Sequence, residues 1–132
     1  TAPRSTLAAR LSTYDRLLEV GIGRRPEVAA ALVDAGCEVT AVDVFDAPVP
    51  DGVDFVRDDV VARATEADQP YRVDAVYGLN LPAELQRPAR DVARTAGADF
   101  LFTTLGFEEP VIPVDRETVD GETLYVAATR HR

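Results

Sequence analysis

The segment from Leu17 to Asp43, LLEVGIGRRPEVAAALVDAGCEVTAVD, restricts the fold of this chain more than any other stretch. An apolar strand pattern leads to two glycines, Gly21 and Gly23, and a proline then opens a helical pattern that leads to a second apolar strand. Glycine lets the backbone approach a ligand closely, and a helix that begins directly afterwards presents free N–H groups. This order predicts a βαβ unit whose first loop binds a nucleotide.

Alternating strand and helix patterns continue along the chain. They predict a doubly wound, Rossmann-like α/β fold, a three-layer sandwich with a mostly parallel sheet between helices. The predicted parallel strands are 16–20, 38–42, 53–56, 73–77 and 99–103, and the predicted helices are 5–14, 26–35, 60–67 and 82–96.

The pattern changes after the fifth strand. Strands at 111–114 and 123–128 are expected to form a C-terminal antiparallel hairpin, with Asp115, Arg116 and Glu117 in its loop. Asp-Gly at positions 120–121 is a typical hairpin turn signal. The length of 132 residues predicts a single Rossmann-like domain over 1–132.

The charge composition narrows the possible partners. Fourteen basic residues, all arginine, face 23 acidic ones, for a net charge of −9. Such a surface disfavours non-specific binding to nucleic acids or anionic membranes, and no apolar run is long enough to span a bilayer. The first ten residues, TAPRSTLAAR, lack the apolar length of a secretory signal, so we expect a cytoplasmic protein. An acidic chain without lysine also resembles proteins of salt-loving archaea.

Acidic residues at the predicted strand ends indicate which nucleotide is bound. Asp43 lies 22 residues after Gly21, where an acid accepts hydrogen bonds from ribose hydroxyls. Glu19, Asp58 and Asp59 lie at or just after the ends of two other strands. Acids around one crevice would repel a pyrophosphate and attract the cationic sulfonium and amino group of S-adenosylmethionine. This arrangement favours S-adenosylmethionine as the cofactor.

Two other functions stay open. Arg24 and Arg25 follow the glycines, and guanidinium groups suit phosphate, so an NAD-type nucleotide-binding regulatory module is an alternative. The dinucleotide fingerprint needs a third glycine where Pro26 stands, and the usual methyltransferase loop needs one where Arg25 stands. A degenerate Rossmann-like interaction domain without a ligand is the third hypothesis.

The stretches EVGIGRRPEVA, AVDV, RDDV and YGLNLPAEL together resemble uncharacterised protein family 0146, a small archaeal family. Its fold is similar to a trimmed class I, S-adenosylmethionine-dependent methyltransferase core. The resemblance implies a methyltransferase-like protein of unknown substrate. It implies cofactor-binding roles for the first-motif residues Glu19, Gly21 and Gly23, for the ribose acid Asp43, and for Asp58 or Asp59 as the acid that meets the adenine amino group.

The sequence departs from the methyltransferase pattern where a methyl acceptor would be held. Many amino-methylating enzymes carry an Asn/Asp-Pro-Pro-aromatic motif after the fourth strand, whereas residues 77–84 read YGLNLPAE and retain only Asn80 and Pro82. Asn80 is therefore the candidate catalytic residue, and a loop cap is its alternative. Glu108 and Glu109, after the fifth strand, lie nearer the expected ligand edge. With one cysteine and one histidine, no spacing typical of a metal site occurs.

Overall fold

The computed structural model describes residues 6–22, 25–63 and 69–128. Gly23, Arg24, Ser5 of the predicted first helix and residues 64–67 of the predicted third helix lie outside these ranges. The helices are α1 (Leu7–Leu11), α2 (Pro26–Asp34), a 3₁₀ helix (Val60–Arg63) and α3 (Ala83–Ala96). The strands are β1 (Arg16–Val20), β2 (Glu38–Asp43), β3 (Asp54–Arg57), β4 (Ala75–Gly78), β5 (Asp99–Phe102), β6 (Val114–Val119) and β7 (Glu122–Ala127).

All of these strands join one sheet in the order β3-β2-β1-β4-β5-β7-β6. The first five strands are parallel, and β7 pairs antiparallel with both β5 and β6. The predicted Rossmann-like α/β fold with a C-terminal antiparallel hairpin is confirmed. Strands β2 and β3 lie on one side of β1, and β4 and β5 lie on its other side, so the order of the strands reverses at β1. In such sheets ligands bind outside the carboxyl ends of the strands beside this switch point.

The sheet separates two apolar cores because side chains alternate between its faces. Leu17 packs with α1 and α2 on one face, whereas Leu18 packs with α3 and the 3₁₀ helix on the other. All four residues of β4 are buried, as expected for a central parallel strand covered on both faces. Glu19 is the polar exception in β1, only 1% exposed. A carboxyl group in this position requires a partner, which is described below.

Local chemistry sets the helix ends. Thr6 caps α1 by accepting a hydrogen bond from Ala9 N–H, and α1 ends at Leu11, earlier than predicted. The hydroxyls of Ser12 and Thr13 bond to backbone carbonyls of the preceding turn, which offers an alternative to further helix. The 3₁₀ helix likewise spans only the start of the predicted 60–67 helix. Strand β1 has the predicted bounds, and the other helices and the other four parallel strands differ from theirs by one or two residues.

The predicted first strand of the hairpin, 111–114, is wrong. The strand is Val114–Val119, so Asp115, Arg116 and Glu117 are strand residues and not loop residues. Asp120 and Gly121 have φ of +50° and +80° and form a two-residue turn that pairs Val119 with Glu122. Turns with two positive φ values match the twist of a hairpin, so the strands continue up to the turn itself.

No helix within the described ranges is both long enough and apolar enough to cross a membrane.

Candidate functional site

The turn after β1 and the end of β2 lie side by side at the switch point. Gly21 N–H donates a 2.8 Å hydrogen bond to the Val42 carbonyl, and Gly21 has a φ of +73°. A Cβ added at Gly21 would lie 4.0 Å from Asp43 Oδ2. Asp43 Oδ1 accepts a hydrogen bond from Phe45 N–H, whereas Oδ2 accepts none from the described residues. One oxygen of Asp43 thus borders the open space above Gly21.

A small cavity, here called the β1–β2 cleft, surrounds this oxygen. Its volume is about 140 Å³, below the range of roughly 300–1,000 Å³ of complete small-molecule sites, so it corresponds to one part of a ligand. Its walls combine carboxylates with aliphatic side chains. The lining residues are Val20, Gly21, Val42, Asp43, Val44, Asp58, Asp59, Val60 and Leu85.

The two aspartates after β3 have different surroundings. Asp58 accepts hydrogen bonds from Asp59 N–H at 2.9 Å, from Tyr71 Oη at 3.1 Å and from Arg63 Nε at 3.2 Å. Burial acts to raise the pKa of Asp58, but these donors outweigh it and hold the pKa below its usual range. Asp59 is exposed, and its Oδ1 accepts a hydrogen bond from Val61 N–H at the start of the 3₁₀ helix. No described residue bonds to the second oxygen of Asp59.

Glu19 does not line the β1–β2 cleft. Its carboxylate is buried on the α2 face of the sheet, where Tyr77 Oη donates a 2.7 Å hydrogen bond to Glu19 Oε1. Burial raises the pKa of Glu19 to about 7, although the Tyr77 hydrogen bond and the charge of Arg25 both act to lower it. The pKa of this buried acid therefore lies near neutral pH.

Arg25 ties that loop to the hairpin. Its two terminal nitrogens donate to both carboxylate oxygens of Glu122, at 2.8 and 3.0 Å, and its Nε lies 3.7 Å from Glu27. Bidentate pairing of this kind fixes the orientation of the guanidinium plane. Arg24 and Arg25 are the two arginines of the phosphate-binding alternative. Of these, only Arg25 is described, and its guanidinium is held by the carboxylates of Glu122 and Glu27.

A larger groove, here called the β4–β5 groove, lies at the carboxyl ends of β4 and β5 and along the hairpin turn. Its volume is about 600 Å³. The lining residues are Asn80, Thr103, Thr104, Gly106, Phe107, Glu108, Glu109, Gly121, Glu122, Thr123 and Tyr125. Asn80 has a φ of +53° and is held by Thr103, whose Oγ1 accepts a 2.8 Å hydrogen bond from Asn80 N–H. The Asn80 side chain itself makes no hydrogen bond to the described residues.

The fold therefore brings Gly21, Asp43, Asp58 and Asp59 to one cleft, while Glu19 lies in the core and Asn80 in the neighbouring groove. In the described part of the chain, no group of three or more metal-binding side chains could hold a metal ion. Sequence reasoning missed Tyr77 and Glu122 as partners. Tyr77 could have been found from strand alternation, since it lies directly opposite Glu19 in the β1–β4 register.

Residues 3–130 match the family described as Uncharacterised protein family (UPF0146). The chain belongs to this family. A UPF0146 protein of Halobacterium salinarum is 50% identical over 123 residues, which cover 92% of this chain and 94% of that protein. A UPF0146 protein of Archaeoglobus fulgidus is 37% identical over 90 residues, 68% of each chain. The predicted family is confirmed.

In fold, this UPF0146 chain is similar to solved structures of two proteins that bind or use S-adenosylmethionine. The fibrillarin of Aeropyrum pernix, in complex with natively bound S-adenosyl-L-methionine, superposes with a TM-score of 0.55 at 16% identity. A SAM-dependent methyltransferase of Agrobacterium tumefaciens gives 0.54 at 14%. The matches cover 86% and 91% of this chain but only 66% and 58% of those longer chains. At such low identity, the likeness is one of fold.

Proposed function

We propose that this UPF0146 protein binds S-adenosylmethionine at the β1–β2 cleft and acts as a methyltransferase. The observation that carries the proposal is Asp43 Oδ2, a carboxylate oxygen without a partner among the described residues and 4.0 Å from where a side chain at Gly21 would begin. A ribose hydroxyl placed there would donate to a charged acceptor, and only glycine leaves that space open. The likeness to methyltransferase folds supports the same conclusion.

Each acid of the cleft has a distinct role in this proposal. Asp43 accepts hydrogen bonds from the ribose. Asp59, one of whose oxygens has no partner among the described residues, accepts a hydrogen bond from the adenine amino group. Asp58 accepts hydrogen bonds from Arg63 and Tyr71, and these contacts hold the chain after β3 in place. The aliphatic side chains of the cleft, such as Val44 and Leu85, contact the faces of the base.

S-adenosylmethionine supplies a methyl group made electrophilic by its positively charged sulfur. What this chain must add is alignment, because holding two reacting groups in line lowers the barrier without any catalytic acid or base. The β4–β5 groove lies across the switch point from the β1–β2 cleft and is the place for a methyl acceptor. Asn80, at the groove and without a side-chain partner, would orient that acceptor.

The NAD-type alternative requires a positive group for a pyrophosphate. Arg25 is held by both oxygens of Glu122, and the described walls of the β1–β2 cleft carry three carboxylates and no arginine. These observations favour a ligand with positive charge. A protein that works only through interactions, without a ligand, is the remaining alternative.

We further propose that the protein works in a salt-rich cytoplasm. The lysine-free composition with a net charge of −9 supports this, as does the relative from Halobacterium salinarum. Plentiful counter-ions screen the repulsion between the carboxylates of such a surface.

Titration calorimetry in concentrated KCl tests the proposed ligand. S-adenosylmethionine and S-adenosylhomocysteine should both release or absorb heat on binding, and NAD should bind more weakly or not at all. Tighter binding of NAD would assign the cleft to a dinucleotide. A flat titration with all three ligands would overturn the proposal and leave the ligand-free interaction domain.

A further inference from the structure

The β4–β5 groove has chemistry of its own, and we propose that it binds a small organic cation: a protonated amine or guanidine carried on a flat apolar group. The binding is argued from the groove alone. The further role of this cation as the methyl acceptor rests on the function proposed above.

The size of the groove suits a whole small molecule. About 600 Å³ lies inside the range of roughly 300–1,000 Å³ that ligand sites occupy. The described lining residues include three glutamates, several neutral hydrogen-bonding side chains and two aromatic rings, but no arginine. The charged side chains that line the groove are all carboxylates, so a phosphate or carboxylate ligand is disfavoured.

The three carboxylates of the groove are not equivalent. Glu122 is paired with Arg25, and Glu109 Oε2 accepts a 2.9 Å hydrogen bond from Arg116. The Glu108 carboxylate has neither an ion pair nor a hydrogen bond among the described residues. One negative charge in the groove is therefore uncompensated by the protein, and a cationic ligand would balance it.

The two rings of the groove also differ. The Tyr125 ring is 8% exposed and already has the Arg116 guanidinium 5.5 Å from its centroid. The Phe107 side chain is 103% exposed, as open to solvent as in an extended chain, and it precedes Glu108 directly. A cation gains energy over the face of an aromatic ring, and a flat apolar group stacks on it. Phe107 and Glu108 together thus match a ligand with both properties.

Asn80, which also lines the groove, offers a directional contact. Residues other than glycine rarely adopt a positive φ, and such backbones persist where the surroundings hold them, often at ligand sites. Thr103 holds the backbone of this turn through two bonds: its hydroxyl accepts from Asn80 N–H, and its carbonyl accepts from the next residue, Leu81 N–H. The Asn80 side-chain amide, which has no hydrogen-bond partner among the described residues, is available to accept an N–H from the cation.

Three matched probes separate charge from shape: 2-phenylethylamine, 2-phenylethanol and phenylacetate. Each is titrated into the isotope-labelled full chain, and amide chemical shifts are followed by NMR. The amine should shift the backbone amides of Asn80, Thr104 and Phe107, and should bind at least about threefold more tightly than the alcohol, with phenylacetate weakest. Equal binding of amine and carboxylate, or shifts centred elsewhere, would overturn the proposal.

Variants then assign the contacts. Glu108→Gln should weaken binding of the amine about three- to tenfold and leave the affinity for the alcohol unchanged, because the substitution removes only the charge. Glu84→Gln, an exposed glutamate on α3 outside the groove, makes the same change of net charge and should leave both affinities unchanged. Phe107→Ala should weaken amine and alcohol alike. If Glu108→Gln leaves the affinity for the amine unchanged, the assignment of Glu108 as the partner of the cation is refuted.

Failure of this proposal is distinguishable from failure of the proposed function. Amine binding without any binding of S-adenosylhomocysteine would keep the cation site and remove the methyltransferase role. Binding of S-adenosylhomocysteine without any preference for the amine would do the reverse.

Discussion

Tyr77 Oη donates a 2.7 Å hydrogen bond to Glu19 Oε1 inside the core, between neighbouring strands β1 and β4. Both residues are at most 1% exposed. A carboxyl group this deeply buried keeps its proton to an unusually high pH, because ionisation there loses the hydration that water provides. Glu19 is thus a titrating group of the core next to the candidate site.

The first prediction is a loss of stability with rising pH that depends on Glu19. Its pKa is about 7 in the folded chain, against an ordinary value of 4.5. The contribution of Glu19 is therefore fully present below about pH 4.5 and is lost as the pH rises through about 7. Between about pH 5 and 8 the wild type should lose roughly 2–3 kcal/mol relative to Glu19→Gln. Denaturant unfolding at constant KCl measures this difference.

Two controls accompany this measurement. Glu84→Gln, on the exposed surface, should run parallel to the wild type across the same pH range. Tyr77→Phe removes the donor that stabilises the charged form of Glu19, so the pKa of Glu19 should rise further, as read from the carboxyl carbon by NMR. Parallel curves for Glu19→Gln and the wild type would show that Glu19 is ionised throughout.

The second prediction concerns Asp43. Removing its carboxylate should weaken binding of S-adenosylhomocysteine about ten- to a hundredfold, since a charged hydrogen bond contributes about 1.5–3 kcal/mol. Calorimetry on Asp43→Ala measures the loss, and Asp46→Ala, an exposed acid three residues later, is the matched control that should bind normally. If both variants bind alike, the effect is one of general charge and Asp43 makes no specific contact.

The third prediction separates the two aspartates after β3. Asp58→Asn disturbs the contacts with Arg63 and Tyr71 and should lower the free energy of unfolding by about 1–2 kcal/mol, with little change in ligand affinity. Asp59→Asn should keep stability and weaken S-adenosylhomocysteine several-fold, because one acceptor oxygen becomes an amide donor facing the adenine amino group. Denaturant unfolding gives the stability of each variant, and calorimetry gives its affinity for S-adenosylhomocysteine. The reverse pattern would make Asp58 the adenine contact.

The fourth prediction concerns salt. With a net charge of −9, repulsion between carboxylates opposes folding in dilute buffer, and added ions screen it. The melting temperature should climb steeply from dilute buffer to about molar KCl, where the screening length falls to about 3 Å. A flat profile, measured by calorimetry or circular dichroism, would exclude adaptation to high salt.

Much of the fold could be predicted because its signals are local. Strand and helix patterns repeat over a few residues, and β1 spans the same residues, Arg16–Val20, in the prediction and the structure. The glycine turn and Asp43 could be placed at one sheet edge because parallel strands joined by helices end on the same side. The sequence predicts the hairpin turn at Asp120 correctly but places the first hairpin strand too early in the chain. The tight two-residue turn, and not the strand pattern, determines where pairing begins.

The alternation of strand and helix, the acidic strand ends and the family resemblance can all be read from the linear sequence. Which of the acids face open space depends on the folded arrangement. Tyr77 meets Glu19 from 58 residues away, and Arg25 meets Glu122 from 97 away. Asp58 and Asp59 look interchangeable in the sequence, yet Arg63 and Tyr71 bond to only one of them. Partners of this kind depend on how distant elements pack, and one sequence read along its length carries no periodic signal for such packing.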